Sequence, residues 1–210
     1  MKKLTLFFMT LLLFNVSFAK EKIDTTFTFR DFSPTSASIV RVTPKTKIQN
    51  KSRISYPVFA GRNSTVTKNM NTNVTRFISD YKSTKHISYN ISYDVTANNS
   101  SFVSILFKIE LTDNDTGKKA QLHNAMTFNL KNGKVLQLKD LFADGFESSL
   151  SSAINDKFKQ FGLPQVDKFD AIVKQQNFYM ENDSIIFIYN KGEASNFADG
   201  EVFIPFLLTD

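Results

Sequence analysis

The most regular pattern in the chain is an alternation of apolar and polar residues over 86–96. A period of two is typical of a strand with one buried face and one wetted face. The next segment, Phe102–Leu111, is more uniformly apolar, and the turn-like residues 97–101 between the two predict an antiparallel hairpin. The apolar positions of the first strand are Ile87, Tyr89, Ile91, Tyr93 and Val95.

Two further strands are predicted directly after this hairpin. A turn over Asp113–Lys118 leads into a strand over Ala120–Leu130. The pair Asn132-Gly133 is typical of a type I′ turn, and it predicts a fourth strand over Val135–Leu138. Four consecutive strands of this kind predict a four-stranded antiparallel meander.

In two segments the apolar residues recur at the spacing typical of an amphipathic helix. The first, over 64–82, follows a polar cluster at Asn63 that can cap it, and the second follows Asp140-Leu141-Phe142 and ends at Gly162 and Pro164. A shorter helix is expected over 167–176. The apolar helical positions are Val66, Met70, Val74, Phe77, Ile78 and Tyr81 in the first helix, and Phe146, Leu150, Ala153, Ile154, Phe158 and Phe161 in the second.

Strands are also predicted at both ends of the chain, with Pro34, Pro44 and Pro57 at strand ends. They are Thr25–Phe32, Ser38–Val42, Lys47–Val58, Phe178–Met180, Ser184–Tyr189 and Glu201–Phe206. All elements together predict an α+β fold with a largely antiparallel sheet, made of the meander and the terminal strands, and with both main helices packed on one face.

The first nineteen residues have the pattern of a signal peptide. Lys2 and Lys3 precede an apolar stretch over Leu4–Phe14, which is too short for an ordinary membrane span, and Ala19 supplies a small residue for cleavage. We therefore expect export to the periplasm or the medium, with no stable membrane anchor after cleavage. The remaining chain is expected to form one compact unit from an N-terminal half, 20–118, and a C-terminal half, 119–210.

The amino-acid composition limits which bonds can stabilise the fold and which partners suit the protein. The chain has no cysteine and 22 phenylalanines, so disulfides are excluded and burial must hold the fold. Removal of Lys2 and Lys3 lowers the net charge from +6 to +4, because 24 basic side chains then face 20 acidic ones. Such a mild charge suits anionic wall polymers or lipid head groups as well as a plain solvated surface, and the scattered basic residues do not favour nucleic acid.

No motif for catalysis or for metal binding is present in the sequence. The two histidines, His86 and His123, lie on predicted strands, and the chain has neither a nucleophile elbow nor a glycine-rich phosphate loop. The segment Asp113–Gly117 resembles a calcium loop, but its ligand spacing is wrong and a hairpin turn explains it. We therefore expect no catalytic residues, no metal and no cofactor.

The loop over 190–200 is the candidate binding site, because it is long, polar and interrupted by one aromatic residue. The alternative is a plain hairpin connection with Phe197 tucked into the core. The candidate ligand-binding residues are Lys191, Glu193, Ser195, Asn196, Phe197 and Asp199.

Several short motifs are shared with a known family. In the C-terminal half they are Phe128-Asn129-Leu130, Gly133-Lys134, Leu136, Leu138, Asp140-Leu141-Phe142, Phe178-Tyr179, Ile186-Phe187, Ala198, Gly200 and Val202-Phe203-Ile204-Pro205. With these motifs the half resembles a bacterial family of exported domains of unknown function, which includes the extracellular lysozyme-binding domain of the anti-sigma-V factor (RsiV-like) and the non-catalytic domain of peptidoglycan deacetylases. Upstream, Tyr56-Pro57, the helix around Asn69–Ile78, Tyr93–Val95 and Asn98 are similar to the companion domain of that family.

The resemblance implies a non-catalytic binding protein of the cell envelope, which recognises cell-wall glycan or a wall-active protein such as lysozyme. Because lysozymes are basic, that partner requires Glu193, Asp199 and Glu201 to cluster with Glu181 and Asp183. The alternative is an enzyme that acts on peptidoglycan with carboxylates alone, for which a deep cleft with two nearby carboxylates would be the sign.

Overall fold

The computed structural model describes residues 40–167, 169–173, 175–195 and 200–207. The predicted signal peptide and the strand Thr25–Phe32 lie outside these residues. The elements are β1 (Arg41–Gln49), β2 (Ser52–Ala60), α1 (Ser64–Ser79), β3 (Ile87–Asn98), β4 (Phe102–Asp113), β5 (Lys119–Asn129), α2 (Leu138–Leu141), α3 (Glu147–Gln160), β6 (Phe178–Glu181), β7 (Ser184–Tyr189) and β8 (Val202–Leu207).

The strands form two sheets, one with the order β1-β2-β3-β4-β5 and one with the order β6-β7-β8. Neighbouring strands are antiparallel except β2 and β3, which pair in parallel only around Arg53 and Ile54. The α+β class and the hairpin of β3 and β4 are confirmed. The predicted boundary between the two halves falls between β4 and β5, which pair along their whole length.

The predicted strands Ser38–Val42 and Lys47–Val58 have the wrong boundaries. A two-residue turn at Asn50-Lys51 interrupts the second of them, so that β1 and β2 form a hairpin with Gln49 opposite Ser52. Asn50 adopts a φ of 51°, a left-handed conformation that asparagine tolerates in tight turns. Pro44 and Pro57 lie opposite each other inside this hairpin and not at strand ends.

The fourth strand of the predicted meander is also wrong. Val135 makes only an isolated bridge to Phe128, and the chain enters α2 at Leu138. The carbonyl of Asn129 accepts from the N–H of Gly133 at 2.7 Å, so the turn is wider than the two-residue turn that Asn132-Gly133 suggests. The sheet therefore ends at β5, whose outer edge becomes part of the candidate site.

The two main helices lie on opposite sides of the molecule, which corrects the prediction that they share one face. The side chains of β4 point alternately to the two faces of the five-stranded sheet. Leu106 packs against the three-stranded sheet, whereas the residues on the other face pack with α1: Val103, Ile105, Phe107 and Ile109. The other face of that small sheet packs against α3. The layers are therefore α1, the five-stranded sheet, the three-stranded sheet and α3.

The helical periodicity predicted α1 and α3 and most of their buried residues. The side chain of Asn63 caps α1 by accepting from the N–H groups of Thr65 and Val66. The expected helix over 167–176 is wrong, since none of the described residues of that segment is helical, and Phe169 and Ile172 pack against the core. No helix in the described part of the chain combines the length and apolarity that crossing a bilayer requires.

Candidate functional site

Around His123 and Ala125 the outer edge of β5 is covered by side chains instead of another strand. Asn177 donates from Nδ2 to the carbonyl of His123 at 3.0 Å and accepts at Oδ1 from the N–H of Ala125 at 2.9 Å. Asn190 accepts from the N–H of His123 at 2.9 Å. A carboxamide carries the same donor and acceptor as a peptide group, so these two asparagines satisfy the edge as a neighbouring strand would.

A cleft of about 420 Å³ lies beside this edge. Its walls come from β5, from the segment 135–138, from the segment 175–178 and from the end of β7. The lining residues are Asn124, Ala125, Met126, Val135, Leu136, Gln137, Leu138, Gln175, Gln176, Asn177, Phe178, Asn190 and Glu193. Its polar side chains are therefore amides with one exception, Glu193.

Glu193 is held by the backbone beside it. Its Oε2 accepts from the N–H of Asn190 at 2.7 Å, and its Oε1 lies 3.4 Å from Asn190 Nδ2. Burial raises the pKa of Tyr189, and the negative charges of Asp170 and Glu193 raise it further. Glu193 is the only carboxylate in the described lining of this cleft.

His123 pairs with Glu201 outside the lining of this cleft. Its Nδ1 lies 2.8 Å from Glu201 Oε1, and the two side chains are only 8% and 12% exposed. The imidazole also contacts the ring of Phe203 edge-on, with centroids 5.4 Å apart. The pair joins β5 of the large sheet to the start of β8 in the small sheet, and its low exposure suits a structural contact.

The sequence-predicted site residues are not all brought together. Glu193 reaches the cleft, Lys191 is exposed in the preceding turn, and Ser195 is 2% exposed, with its hydroxyl donating to the carbonyl of Pro164 at 2.6 Å. Asn196, Phe197 and Asp199 lie outside the described residues. The prediction missed the amides of the cleft, for which the run Gln175-Gln176-Asn177 before a strand was the available signal.

The acidic residues that a basic protein partner would require do not gather in one place. Glu181 lies opposite Ser184 at the beginning of β7, whereas Glu201 precedes Val202, which lies opposite Tyr189 at the end of β7. Ser184 and Tyr189 are five positions apart in β7, which is about 16 Å along the strand. Glu181 and Asp183 therefore do not cluster with Glu201, and Asp199 lies outside the described residues.

The segment Asp113–Gly117 is a hairpin turn, as expected. Asp113 Oδ1 accepts from the N–H groups of Asp115 and Thr116 at 2.9 and 3.0 Å, and these bonds lower the pKa of the Asp113 carboxyl. Asp115 itself pairs with His86. Nowhere in the described ranges do three or more His, Asp or Glu side chains form a group that could hold a metal ion.

Part of the chain matches a known family by sequence. Residues 139–206 match the model of a family described as a protein of unknown function, DUF3298. This segment runs from α2 to β8 and contains Gln175–Asn177, Asn190 and Glu193. No curated protein matches the chain.

Two solved structures described as DUF3298 proteins align with most of the chain. A DUF3298 member from Bacteroides fragilis has a TM-score of 0.54 at 14% identity, and the alignment covers 83% of this chain and 91% of that one. A DUF3298 protein from Pseudomonas aeruginosa has a TM-score of 0.48 at 10% identity, covering 84% of this chain and 91% of that one. The likeness to the Bacteroides protein extends to the fold alone.

Proposed function

We propose that the protein is an exported, non-catalytic binding module of the cell envelope, and that the amide-lined cleft beside β5 takes an uncharged part of a wall component. The observation that carries the proposal is the composition of the cleft: its described polar side chains are amides, with Glu193 as the single charged group. Carboxamides recognise ligands that offer donors and acceptors side by side, as peptide groups and the acetamido groups of wall glycan do.

The apolar part of the lining supports the same class of ligand. Met126, Val135 and Leu136 lie next to Gln137 and Asn124 in the cleft walls, so polar and apolar groups alternate at close range. An acetamido group has both an amide and a methyl group, and a wall peptide combines backbone amides with short apolar side chains. A strongly charged ligand would find no oppositely charged partner in the described lining except for a cation at Glu193.

The cellular location is proposed from the resemblance seen in the sequence and from the expected signal peptide. Both favour a protein that acts outside the cytoplasm on the cell wall. Of the two partners considered, wall component and lysozyme, the separation of Glu181 and Asp183 from Glu201 favours the wall component, because a basic protein gains little attraction from scattered carboxylates.

The test is binding of the processed chain, starting at Lys20, to isolated sacculi and to soluble disaccharide-peptide fragments released from them. Gln137 and Gln175 are exposed at the rim of the cleft, so the double variant Gln137→Ala/Gln175→Ala removes two ligand-facing amides without touching the bonds of Asn177. We expect it to weaken fragment binding by about tenfold or more, at about 1 kcal/mol for each lost hydrogen bond. The control is Gln121→Ala, an exposed glutamine of β5 that does not belong to the described lining of the cleft.

Three results would overturn the proposal. Capture of lysozyme with no binding to sacculi would make the partner a protein. Turnover of the fragments would make the protein an enzyme. Equal binding by the double variant and the wild type would move the site away from this cleft.

A further inference from the structure

Positive charge is concentrated in one part of the chain. Residues 40–79 contain eight basic side chains and no acidic one, a charge of +8, whereas residues 80–210 contain 13 basic and 17 acidic side chains, a charge of −4. The +8 segment corresponds to β1, β2 and α1. Its basic residues are Arg41, Lys45, Lys47, Lys51, Arg53, Arg62, Lys68 and Arg76.

These cations are not used to hold the fold. All eight are exposed, and none of them forms an ion pair with any residue in the described part of the chain. Five of the eight lie on the hairpin of β1 and β2, where the edge strand β1 is exposed along most of its length. Charged side chains on an edge strand protect it from pairing with other chains, but that role alone does not require the absence of carboxylates.

The end of this hairpin, residues 47–53, combines charge with an exposed apolar side chain. Ile48 is 72% exposed and lies directly opposite Arg53, Lys47 precedes it in β1, and Lys51 lies in the turn that joins β1 to β2. We call residues 47–53 the basic tip. The tip is fixed in place, because Ser52 Oγ accepts from the N–H of Tyr89 at 2.7 Å.

The nearest carboxylate in the sheet register does not neutralise the tip. Asn90 lies beside Arg53 on β3, and Glu110 lies opposite Asn90 on β4. Two strand spacings separate Arg53 from Glu110, about 10 Å, which is close to the screening length at physiological salt. Glu110 is also paired with Lys119 at 3.0 Å.

We propose that the basic tip docks the protein on an anionic lipid surface. Lys47, Lys51 and Arg53 would contact the negatively charged head groups, and Ile48 would enter the boundary between head groups and acyl chains. Cations around one exposed apolar side chain suit a surface that is charged outside and apolar beneath, which a lipid layer provides and a soluble polyanion does not. This site is separate from the cleft and does not depend on the ligand proposed for the cleft.

The experiment measures co-sedimentation of the processed chain with vesicles of phosphatidylcholine, with and without a quarter of phosphatidylglycerol. We expect binding only with phosphatidylglycerol and loss of binding as salt is raised. The variant Lys47→Gln/Lys51→Gln/Arg53→Gln should bind about 100-fold more weakly, at about fivefold for each cation near an anionic surface. The control Lys131→Gln/Lys134→Gln/Lys139→Gln changes the charge equally at exposed lysines elsewhere and should bind like the wild type.

The variant Ile48→Ser distinguishes binding to a lipid surface from binding to a soluble polyanion. It should weaken vesicle binding by about tenfold, since the apolar contact is lost, and leave any binding to inorganic polyphosphate unchanged. Equal vesicle binding by Ile48→Ser and the wild type, together with tight polyphosphate binding, would assign the surface to a soluble polyanion. Equal loss in the two triple variants, or binding to pure phosphatidylcholine, would also overturn the proposal, and neither result bears on the cleft.

Discussion

The side chain of Asn177 is hydrogen-bonded to the backbone of His123, 54 positions away in the chain, from Nδ2 to the carbonyl oxygen at 3.0 Å. Its Oδ1 accepts from the N–H of Ala125, two residues further along β5. One side chain thus fixes both the edge of the five-stranded sheet and the wall of the cleft. Asn71 makes a similar pair of hydrogen bonds to β2, since its carboxamide bonds both the N–H and the carbonyl of Phe59, at 2.8 and 2.9 Å.

Replacing Asn177 by alanine should destabilise the fold and expose the edge of β5. Two hydrogen bonds are lost, so we expect the free energy of unfolding in urea to fall by about 2 kcal/mol. The freed backbone groups should also increase self-association, seen as a concentration-dependent rise in sedimentation coefficient. Gln175→Ala, an exposed neighbour, is the control and should change neither quantity. An unfolding free energy of Asn177→Ala equal to that of the wild type would contradict the role assigned to this carboxamide.

Comparing alanine variants of Gly133 and Gly117 distinguishes the cost of a steric clash from the cost of backbone strain. Both have positive φ, 71° and 72°, but a Cβ at Gly133 would lie 2.3 Å from the carbonyl oxygen of Val66 and 2.9 Å from Asn69 Cβ, whereas a Cβ at Gly117 meets nothing within 4 Å. We expect Gly117→Ala to cost about 1 kcal/mol of unfolding free energy, from backbone strain alone. Gly133→Ala should cost about 3 kcal/mol or more, because the backbone of α1 must move away. Equal losses for the two variants in urea unfolding would show that α1 does not approach this turn closely.

The sequence predicted those elements whose residues interact with near neighbours in the chain. Asn63 and the apolar spacing from Val66 to Ile78 define α1 without reference to the rest of the fold, and the alternation over 87–95 does so for β3. The fourth strand failed because Val135–Leu138 has strand-like residues, but its pairing with β5 extends no further than the bridge to Phe128. The number of strands depends on such pairing, which periodicity does not contain.

The candidate site was less predictable because long-range contacts form it. Glu193 could be proposed from a polar loop, but Asn177 and Asn190 become important only when the edge of β5 lies beside them. The position of α3 was missed for a similar reason. Apolar residues on both faces of β7 indicate a doubly covered sheet, yet they do not say which element covers which face.

His123 and Glu201 should be coupled energetically, because their hydrogen bond is nearly buried and joins the two sheets. We expect a double-mutant cycle of His123→Ala and Glu201→Ala, measured by urea unfolding, to give a coupling of about 1 to 3 kcal/mol. The exposed pair Lys159 and Asp156 on α3 is the control and should give about 0.5 kcal/mol or less. Additive losses at His123 and Glu201 would mean that the contact holds the sheets together no more than its packing does.

Tyr189 should make stability depend on pH in the alkaline range. Its hydroxyl donates to the buried carbonyl of Ala171 at 2.6 Å, and burial, with Asp170 and Glu193, raises its pKa above the ordinary value near 10. The unfolded chain therefore loses this proton first, so the contribution of Tyr189 is complete below about pH 10 and falls as pH rises further. Burial raises the pKa of Tyr81 to about 12, so Tyr81 contributes to the same decline.

The variant Tyr189→Phe tests this pH dependence. It should cost about 1 kcal/mol at neutral pH through the lost hydrogen bond, and its unfolding free energy should fall less steeply than that of the wild type between about pH 10 and 12. Tyr81→Phe measures the other share of the decline, and a slope in Tyr189→Phe as steep as in the wild type would show that Tyr189 ionises freely in the folded protein.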